Sequence, residues 1–407
     1  MMKCGLLGRH LSHSYSPQIH AMLGDYSYEL FEKEPQELES FLKNGDWDGI
    51  NVTIPYKKDV IPYLDELSPM AQRLGAVNTV VRRNGRLIGH NTDYYGFRML
   101  LDTLPIPYYL EKVLVLGSGG ASNTVCAVLE DLGARVVLVS RSGKNNYQNL
   151  DLHWDARLIV NTTPVGMYPD NGKSLIPDVT DIRKFPGLRA VVDLIYNPAY
   201  TLLLLDAESR DEMITANGLL MLVAQAKESA EWFTGESISD DVIEPILDRL
   251  EADMQNIVLI GMPGSGKTTV GKCIAEMSGR RFADSDELIV RLAGKSIPEI
   301  FAQDGEEVFR NWETKALAEL GKQSGLVIAT GGGCVTRECN YNLLHQNGQI
   351  HWVIRSLDKL STEGRPLSQQ VDLKQMYRQR EPMYFRFMDH LIHNDGDPDS
   401  AARQALM

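Results

Sequence analysis

The 407-residue chain has room for two or three domains at roughly 150 residues each, which excludes a disulfide-stapled miniprotein or a lone small module. Apolar residues make up 43% and charged residues 23%, the composition of an ordinary globular chain and not of a disordered one. The net charge of −13 repels phosphate backbones and anionic lipid, so neither nucleic acid nor a membrane surface is an expected partner, while room is left for local basic pockets. Five cysteines (Cys4, Cys126, Cys273, Cys334, Cys339) are scattered without a C-x-x-C pair, which argues against both zinc and a disulfide framework. No apolar run approaches the ~20 residues of a membrane span. The opening M-M-K-C-G-L-L-G lacks the long apolar stretch of a signal peptide. The expected setting is the cytoplasm, with small-molecule substrates and a monomer or homodimer.

The first hundred residues carry polar clusters that a core does not need. They are H-S-Y-S-P (His13–Pro17), N-V-T-I-P-Y-K (Asn51–Lys57), G-A-V-N-T (Gly75–Thr79) and N-T-D (Asn91–Asp93). A lone Lys or Asp is usually solvated, but four such clusters in one segment are hard to explain in that way. Lys57 and Asp93 are the natural acid/base pair, a cation beside a carboxylate that can steady an oxyanion and pass a proton. Ser14, Ser16, Thr53 and Asn78 offer hydroxyls and an amide to orient a polyhydroxylated ligand.

Next comes the apolar run Val113–Leu116, ending in Gly117-Ser-Gly-Gly-Ala-Ser. Alone, such a glycine turn is weak, and a purely structural turn is the alternative. Further strand candidates follow at R-V-V-L-V (Arg135–Val139), L-I-V (Leu158–Val160) and A-V-V-D-L (Ala190–Leu194), separated by helical stretches. The alternation predicts a doubly wound α/β unit. The second strand runs into Ser140-Arg141-Ser142, and a basic residue there suits a ribose 2′-phosphate, favouring NADP over NAD; a solvent-facing strand end is the alternative.

Together with N-T-T-P-V-G-M (Asn161–Met167), D-L-I-Y-N-P (Asp193–Pro198) and N-G-L-L-M-L-V-A-Q-A (Asn217–Ala226), this order of motifs resembles shikimate dehydrogenase over residues 1–255. The resemblance implies that Lys57 and Asp93 are catalytic. It places Ser14, Ser16, Thr53, Asn78, Tyr196 and Gln225 on substrate, and Gly117, Gly119, Gly120, Ser140, Arg141 and Gly218 near the cofactor. It also implies two lobes: a substrate lobe of about 1–102 and 216–254, and a Rossmann NADP lobe of about 103–215. The family's usual G-D-N-T-D-G is G-H-N-T-D-Y-Y here, with His90 and Tyr94, and Ser140 and Ser142 stand where Asn and Thr are usual.

The segment Glu228–Met254 holds nine acidic residues and one basic. It reads as a helix with a polar lead-in, solvated and closing one domain before the next. A boundary at 254/255 follows.

The strand-like Asn256–Ile260 then leads into G-M-P-G-S-G-K-T-T (Gly261–Thr269), a G-x-x-x-x-G-K-[ST] motif between a strand and a helix, which is the context that motif requires. The glycines, Gly264 and Gly266 among them, let backbone N–H groups wrap phosphates at a helix N-terminus. Lys267 would reach the β/γ-phosphates, and Thr268, followed by Thr269, would offer its hydroxyl to Mg²⁺. Asp284 and Asp286 fall where a second strand should end, so that both would share one strand face. One would hold hydrated Mg²⁺ and the other would take a proton from an attacking hydroxyl; an exposed acidic turn is the alternative. Gly331–Gly333 follows the strand-like G-L-V-I-A (Gly325–Ala329) and offers backbone donors close to a ligand, and Ile350–Ile354 is a further buried strand. Arg310, Arg365 and Arg380, taken singly, are ordinary surface charges.

The order Walker A, D-x-D, F-R-x-x-E, G-G-G, R-P-L, R-x-P-x-Y resembles shikimate kinase over residues 255–407. The resemblance implies that Lys267 and Thr268 serve ATP and Mg²⁺, that Asp284 supports the metal, and that Asp286 contacts the ring hydroxyls and acts as base. Arg310 and Arg380 would hold the substrate carboxylate, Gly332 and Gly333 would lie against the ring, and Arg365 would neutralise the transferring phosphate. Two features depart from the family. The segment from Arg355 to Arg365 is short, with Leu360 near the place of an adenine-stacking arginine. His393-Asn-Asp-Gly-Asp replaces a late arginine pair.

The expected fold is therefore α/β: a two-lobed shikimate dehydrogenase followed by a P-loop parallel α/β kinase domain. The expected activity is reduction of 3-dehydroshikimate with NADPH, then phosphorylation of shikimate with Mg·ATP. Two rivals stand beside it. An NAD-preferring quinate/shikimate dehydrogenase fused to the kinase is disfavoured by Arg141. A non-catalytic metabolite sensor is disfavoured by retention of Lys57, Asp93, Lys267, Asp286 and Arg310, and by the lack of a basic helical segment for DNA.

Overall fold

The computed structural model describes residues 1–11, 14–173, 182–360 and 373–407. The chain divides into two units: residues 1–165, 173–196 and 206–249 form the first, and residues 166–172, 197–205 and 250–407 the second.

The first unit opens with β1 (Lys3–Gly8), α1 (Ser16–Leu23), β2 (Ser27–Glu32), α2 (Leu38–Asn44), β3 (Gly49–Val52), β4 (Glu66–Leu67), α3 (Pro69–Leu74), β5 (Thr79–Arg83), β6 (Arg86–His90) and α4 (Asp93–Asp102). Its strands make a mixed six-stranded sheet in the order β2-β1-β3-β5-β6-β4. Leu7, Ile50, Val52 and Val80 pack beneath it against Leu38 and Leu42 of α2.

The chain continues through β7 (Lys112–Leu116), α5 (Gly120–Asp131), β8 (Arg135–Val139), β9 (Leu158–Asn161), β10 (Ala190–Asp193), α6 (Leu202–Glu208), β11 (Ile214–Ala216) and α7 (Leu219–Thr234). A second, wholly parallel sheet has the order β11-β10-β9-β7-β8. β7, β9 and β10 are buried along nearly their whole length, which is why they read as uninterrupted apolar runs instead of alternating ones. The helix α7 returns to the first sheet: Ser229 accepts from Asn51 Nδ2 at 2.8 Å and lies 2.9 Å from Thr79 Oγ1.

After α8 (Ile243–Met254) come β12 (Asn256–Ile260), α9 (Lys267–Ser278), β13 (Arg281–Asp284), α10 (Ser285–Ala293), α11 (Ile297–Gln303), α12 (Glu306–Gly321), β14 (Leu326–Ala329), α13 (Cys339–His345), β15 (Gly348–Ile354), α14 (Leu373–Phe387), β16 (His390–His393) and α15 (Pro398–Gln404). The sheet is parallel throughout, in the order β13-β14-β12-β15-β16. Alternate residues of a strand face opposite sides. Thus Val258 and Ile260 join one core with Ile328 and Ile350, and Ile257 and Leu259 join the other with Val270 and Val327. Among the described residues no helix is long and apolar enough to cross a membrane.

Two local expectations need correction. Glu228–Met254 is not one helix with its lead-in: residues 228–234 are the last turns of α7, which stops at Gly235 with φ of 78°, and α8 begins only at Ile243. Asp284 and Asp286 do not share a strand face. Asp284 ends β13 and caps α10, its carboxylate accepting from Asp286 N–H at 2.9 Å, so Asp286 lies in the first helical turn.

Ile328, on β14 beside the central strand β12, is fully buried in the core of the second unit. Ile328→Ala should cost about 2–5 kcal/mol, the usual range for emptying such a site, read as a lowered midpoint in denaturant unfolding with an unchanged slope.

Candidate functional site

In the first unit the turn after β3 carries Lys57, and α4 starts with Asp93. Lys57 Nζ donates to Asp93 Oδ2 at 2.6 Å. Both side chains are largely shielded, 24% and 10% exposed. The other carboxylate oxygen accepts from Asn78 Nδ2 at 3.0 Å, and the same amide reaches Thr92 Oγ1 at 2.9 Å. Asn78 Oδ1 in turn accepts from Thr92 N–H at 2.8 Å. Gln225 of α7 closes the group, its Oε1 3.4 Å from both Asn78 Nδ2 and Thr92 Oγ1. The ion pair is thus fixed at both carboxylate oxygens.

Ser14, Ser16 and Thr53 make no hydrogen bond to Lys57 or Asp93 among the described residues. Ser14 Oγ accepts from Ser16 N–H at 3.2 Å at the start of α1. Thr53 N–H donates to the Leu7 carbonyl at 2.9 Å, at the carboxyl ends of β1 and β3. The ring of Tyr196 meets that of Tyr15 edge-on at 6.1 Å, and burial pushes its phenol up to about 12.

The glycine turn lies at the carboxyl end of β7. Gly117 has φ of 109°, and a Cβ there would strike Thr163 Cγ2 at 2.7 Å, so the backbone conformation and the space both call for glycine. Beyond it Gly119 caps α5, and beside Gly119 and Gly120 the space is open. A helix N-terminus with open room in front of it fits a pyrophosphate. Ser140 follows the end of β8, its N–H on the Asn145 carbonyl at 3.1 Å, and Arg141 is exposed. Gly218 packs where a Cβ would lie 2.0 Å from the Leu194 carbonyl oxygen.

In the second unit the carboxyl ends of β12, β13 and β14 surround a cavity of about 360 Å³. It gathers Gly264, Gly266, Lys267, Thr268, Thr269, Asp284, Asp286, Arg310, Gly332, Gly333 and Arg380. Lys267 Nζ donates to the carbonyls of Gly261 and Met262 at 2.8 and 3.0 Å. Thr268 Oγ1 donates to Asp284 Oδ2 at 2.9 Å, a hydroxyl and a carboxylate of the hard-oxygen kind that Mg²⁺ takes. Ser265 Oγ is buried with no hydrogen-bond partner among the described residues, as a phosphate cradle would leave it. Arg380 Nη1 donates to the Gly332 carbonyl at 3.0 Å. Arg365 lies outside the described residues.

The quoted sequence segments contain Glu313, Tyr384 and Asn394 without giving them a role, and the structure supplies one for each. Glu313, fully buried, accepts from Arg310 Nη1 at 2.8 Å, and Glu306 accepts from Nη2 at 3.0 Å. Burial alone would lower the Arg310 guanidinium; the two carboxylates outweigh it and hold the group above its usual range. Glutamates three residues after and four before an arginine on one helix were the available signal. A Cβ at position 333 would come 2.2 Å from Arg310 Nη1, so the glycine admits the guanidinium. Tyr384 OH donates to the Gly332 carbonyl at 2.5 Å, and burial pushes its phenol well up. Asn394, within the departing His393-Asn-Asp-Gly-Asp, donates to the Ser265 carbonyl at 2.7 Å and braces the phosphate loop. Leu360 packs into the apolar core, 9% exposed.

Comparison with known proteins finds relatives for both parts of the sequence. The shikimate dehydrogenase substrate binding domain model matches residues 6–80, and the shikimate kinase model matches residues 263–407. The shikimate dehydrogenase (NADP(+)) of Clostridium beijerinckii is 36% identical over 247 residues, 56% of this chain and 90% of that protein. This chain belongs to the shikimate dehydrogenase family. In the same polypeptide it carries a shikimate kinase domain. Among solved structures, a chorismate mutase/shikimate 5-dehydrogenase fusion protein from Clostridium acetobutylicum is 34% identical with a TM-score of 0.58, covering 62% of this chain and 98% of that one. The Thermus thermophilus shikimate 5-dehydrogenase in complex with NADP(H) and shikimate is 33% identical with a TM-score of 0.54, covering 61% and 99%.

The Arg310–Glu313 pair is closed off from solvent, with side chains 7% and 0% exposed. Glu313→Leu should therefore lower stability by about 3–5 kcal/mol by leaving a buried cation short of its partner. Glu313→Gln, which keeps an acceptor, should recover part of that loss in the same unfolding experiment.

Proposed function

We propose that the chain catalyses two consecutive reactions: reduction of 3-dehydroshikimate to shikimate with NADPH, and phosphorylation of shikimate to shikimate 3-phosphate with Mg·ATP. The observation that carries this reading is the doubly anchored Lys57–Asp93 pair in a shikimate dehydrogenase chain that also holds a phosphate-loop cavity. We assign residues 1–254 to the dehydrogenase, with lobes of about 1–102 plus 216–254 and about 103–215, and residues 255–407 to the kinase.

In the first reaction a ketone becomes a secondary alcohol. Bound NADPH supplies the hydride to the carbonyl carbon. Lys57 Nζ holds the carbonyl oxygen and gives it a proton, while Asp93 keeps the ammonium aimed. Asn78, Gln225, Tyr196, Ser14, Ser16 and Thr53 meet the hydroxyls and carboxylate of the ligand. Gly117, Gly119 and Gly120 with the α5 N-terminus hold the pyrophosphate, Ser140 and Arg141 take the 2′-phosphate, and Gly218 lies beside the cofactor.

In the second reaction a shikimate hydroxyl oxygen bonds to the γ-phosphorus and the bond to the β–γ bridging oxygen breaks. ADP leaves, and the hydroxyl proton passes to Asp286. Gly264, Gly266, Lys267 and Thr269 hold the phosphates, and Thr268 and Asp284 hold Mg²⁺. Arg310 and Arg380 hold the substrate carboxylate, with Gly332 and Gly333 against the ring. Arg365 is the remaining cation, expected to neutralise the transferring phosphoryl group. Such loosely bonded transition states respond chiefly to positioning and charge neutralisation.

Separate assays on one protein test the reading. Lys57→Ala should abolish NADPH oxidation with 3-dehydroshikimate and spare phosphorylation of added shikimate. Lys267→Ala should do the reverse, lowering ADP formation at least about a hundredfold, the scale of losing one group that stabilises transition-state charge. Loss of both activities in either folded variant would contradict two independent sites.

A further inference from the structure

The second unit contains more than the kinase sequence. Residues 166–172 and 197–205, from the middle of the dehydrogenase sequence, are part of it. Their contacts converge on the turn between α13 and β15. Ala199 N–H donates to Asn347 Oδ1 at 2.8 Å, Tyr200 N–H to the Gln346 carbonyl at 2.9 Å, and Asn171 Nδ2 to Gln346 Oε1 at 2.8 Å. Asn347 is 4% exposed. Its amide reaches the Lys322 carbonyl just beyond α12 at 3.3 Å, and its own carbonyl accepts from Asn256 N–H, where β12 begins, at 2.7 Å.

A ladder of rings runs onward from this turn. Tyr200 stacks on His345 at 5.1 Å, His345 on Tyr341 at 4.9 Å, and Tyr341 meets Phe387 edge-on at 5.4 Å. Phe387 is the last residue of α14, the helix that carries Arg380 and Tyr384 to the Gly332 carbonyl. On the other side α13 holds the glycine loop itself: the fully buried Asn340 donates to the Cys334 carbonyl at 2.7 Å, and Cys334 N–H reaches the Gly331 carbonyl at 3.2 Å. The helix α13 therefore braces both halves of the acceptor side of the cavity. The 197–201 strap seats its carboxyl end.

We propose that this strap is a working part of the kinase, and that Tyr200 is a positioning residue for shikimate binding, acting through His345, Tyr341 and Phe387 on the helix that bears Arg380. Neither a strap nor a role for Tyr200 follows from the kinase motifs, since both lie more than fifty residues before the phosphate loop. Acceptor residues tolerate little displacement, and a shift of about 1 Å can cost up to about a hundredfold in rate. A partial loss of ring support should cost less and should fall on binding.

The inference rests on the kinase reading, and the test separates the two. In the full-length protein, Tyr200→Ala should raise the shikimate KM of phosphoryl transfer about five- to tenfold and leave kcat within about twofold. Tyr200→Phe, which keeps the ring, should match the wild type, and Asn347→Ala should shift KM in the same direction as Tyr200→Ala. Shikimate titration followed by tryptophan fluorescence gives Kd apart from turnover, and Tyr200→Leu serves if the alanine variant does not fold. Wild-type KM and Kd in both Tyr200→Ala and Tyr200→Leu would overturn the proposal while leaving the kinase reading intact. A wild-type protein that neither binds nor phosphorylates shikimate would overturn the kinase reading itself.

Discussion

Four of the cations that the two sites would use are each held in place by an oxygen of the protein itself. Lys57 sits on Asp93, Lys267 on the carbonyls of Gly261 and Met262, Arg310 on Glu313, and Arg380 on the carbonyl of Gly332. This follows from desolvation: a shielded charge without a partner costs several kcal/mol or shifts until it is neutral. The partner fixes the side chain before any ligand arrives, which removes part of the ordering cost of binding. The acceptor oxygens are then the groups with which an anionic substrate or a phosphate competes.

Sheet architecture supplies the geometry. Gly117, Gly261, Asp284 and the Gly331–Gly333 loop all stand at the carboxyl ends of parallel strands. There the chain leaves a buried strand and turns into the next helix, so glycines, caps and helix N-termini gather on one edge. The substrate sheet of the first unit differs, being mixed. Its pair depends on side chains that bridge elements: Asn78 near β5, Asp93 on α4 and Gln225 on α7. That network ties residues 147 positions apart, so the Lys57–Asp93 pair depends on long-range packing where the phosphate loop is largely local.

What could be read beforehand follows the same division. Buried parallel strands such as Val113–Leu116 and Asn256–Ile260 were legible because both faces are apolar, and the phosphate loop because its chemistry lies within nine consecutive residues. The Asp284–Asp286 pair was misplaced because a strand face and a helix cap put acids at the same spacing; the deciding fact is the Asp284 carboxylate on the Asp286 N–H. The break after Thr234 turns on one glycine in a left-handed conformation. Glu313 pairs with Arg310 within one helix, at a spacing the sequence displays, whereas Tyr384 and Asn394 act through contacts that only the folded chain makes, across 52 and 129 residues. Nothing in the local sequence of residues 197–205 shows that they pack with the kinase.

One polypeptide that carries 3-dehydroshikimate through both proposed steps can be given 3-dehydroshikimate, NADPH, Mg²⁺ and ATP together, and its products followed by mass spectrometry and phosphorus NMR. The expected end product is shikimate 3-phosphate, with one NADPH oxidised and one ADP formed for each molecule. Accumulation of shikimate without phosphorylation, or ADP formation without NADPH oxidation, would contradict the two proposed steps.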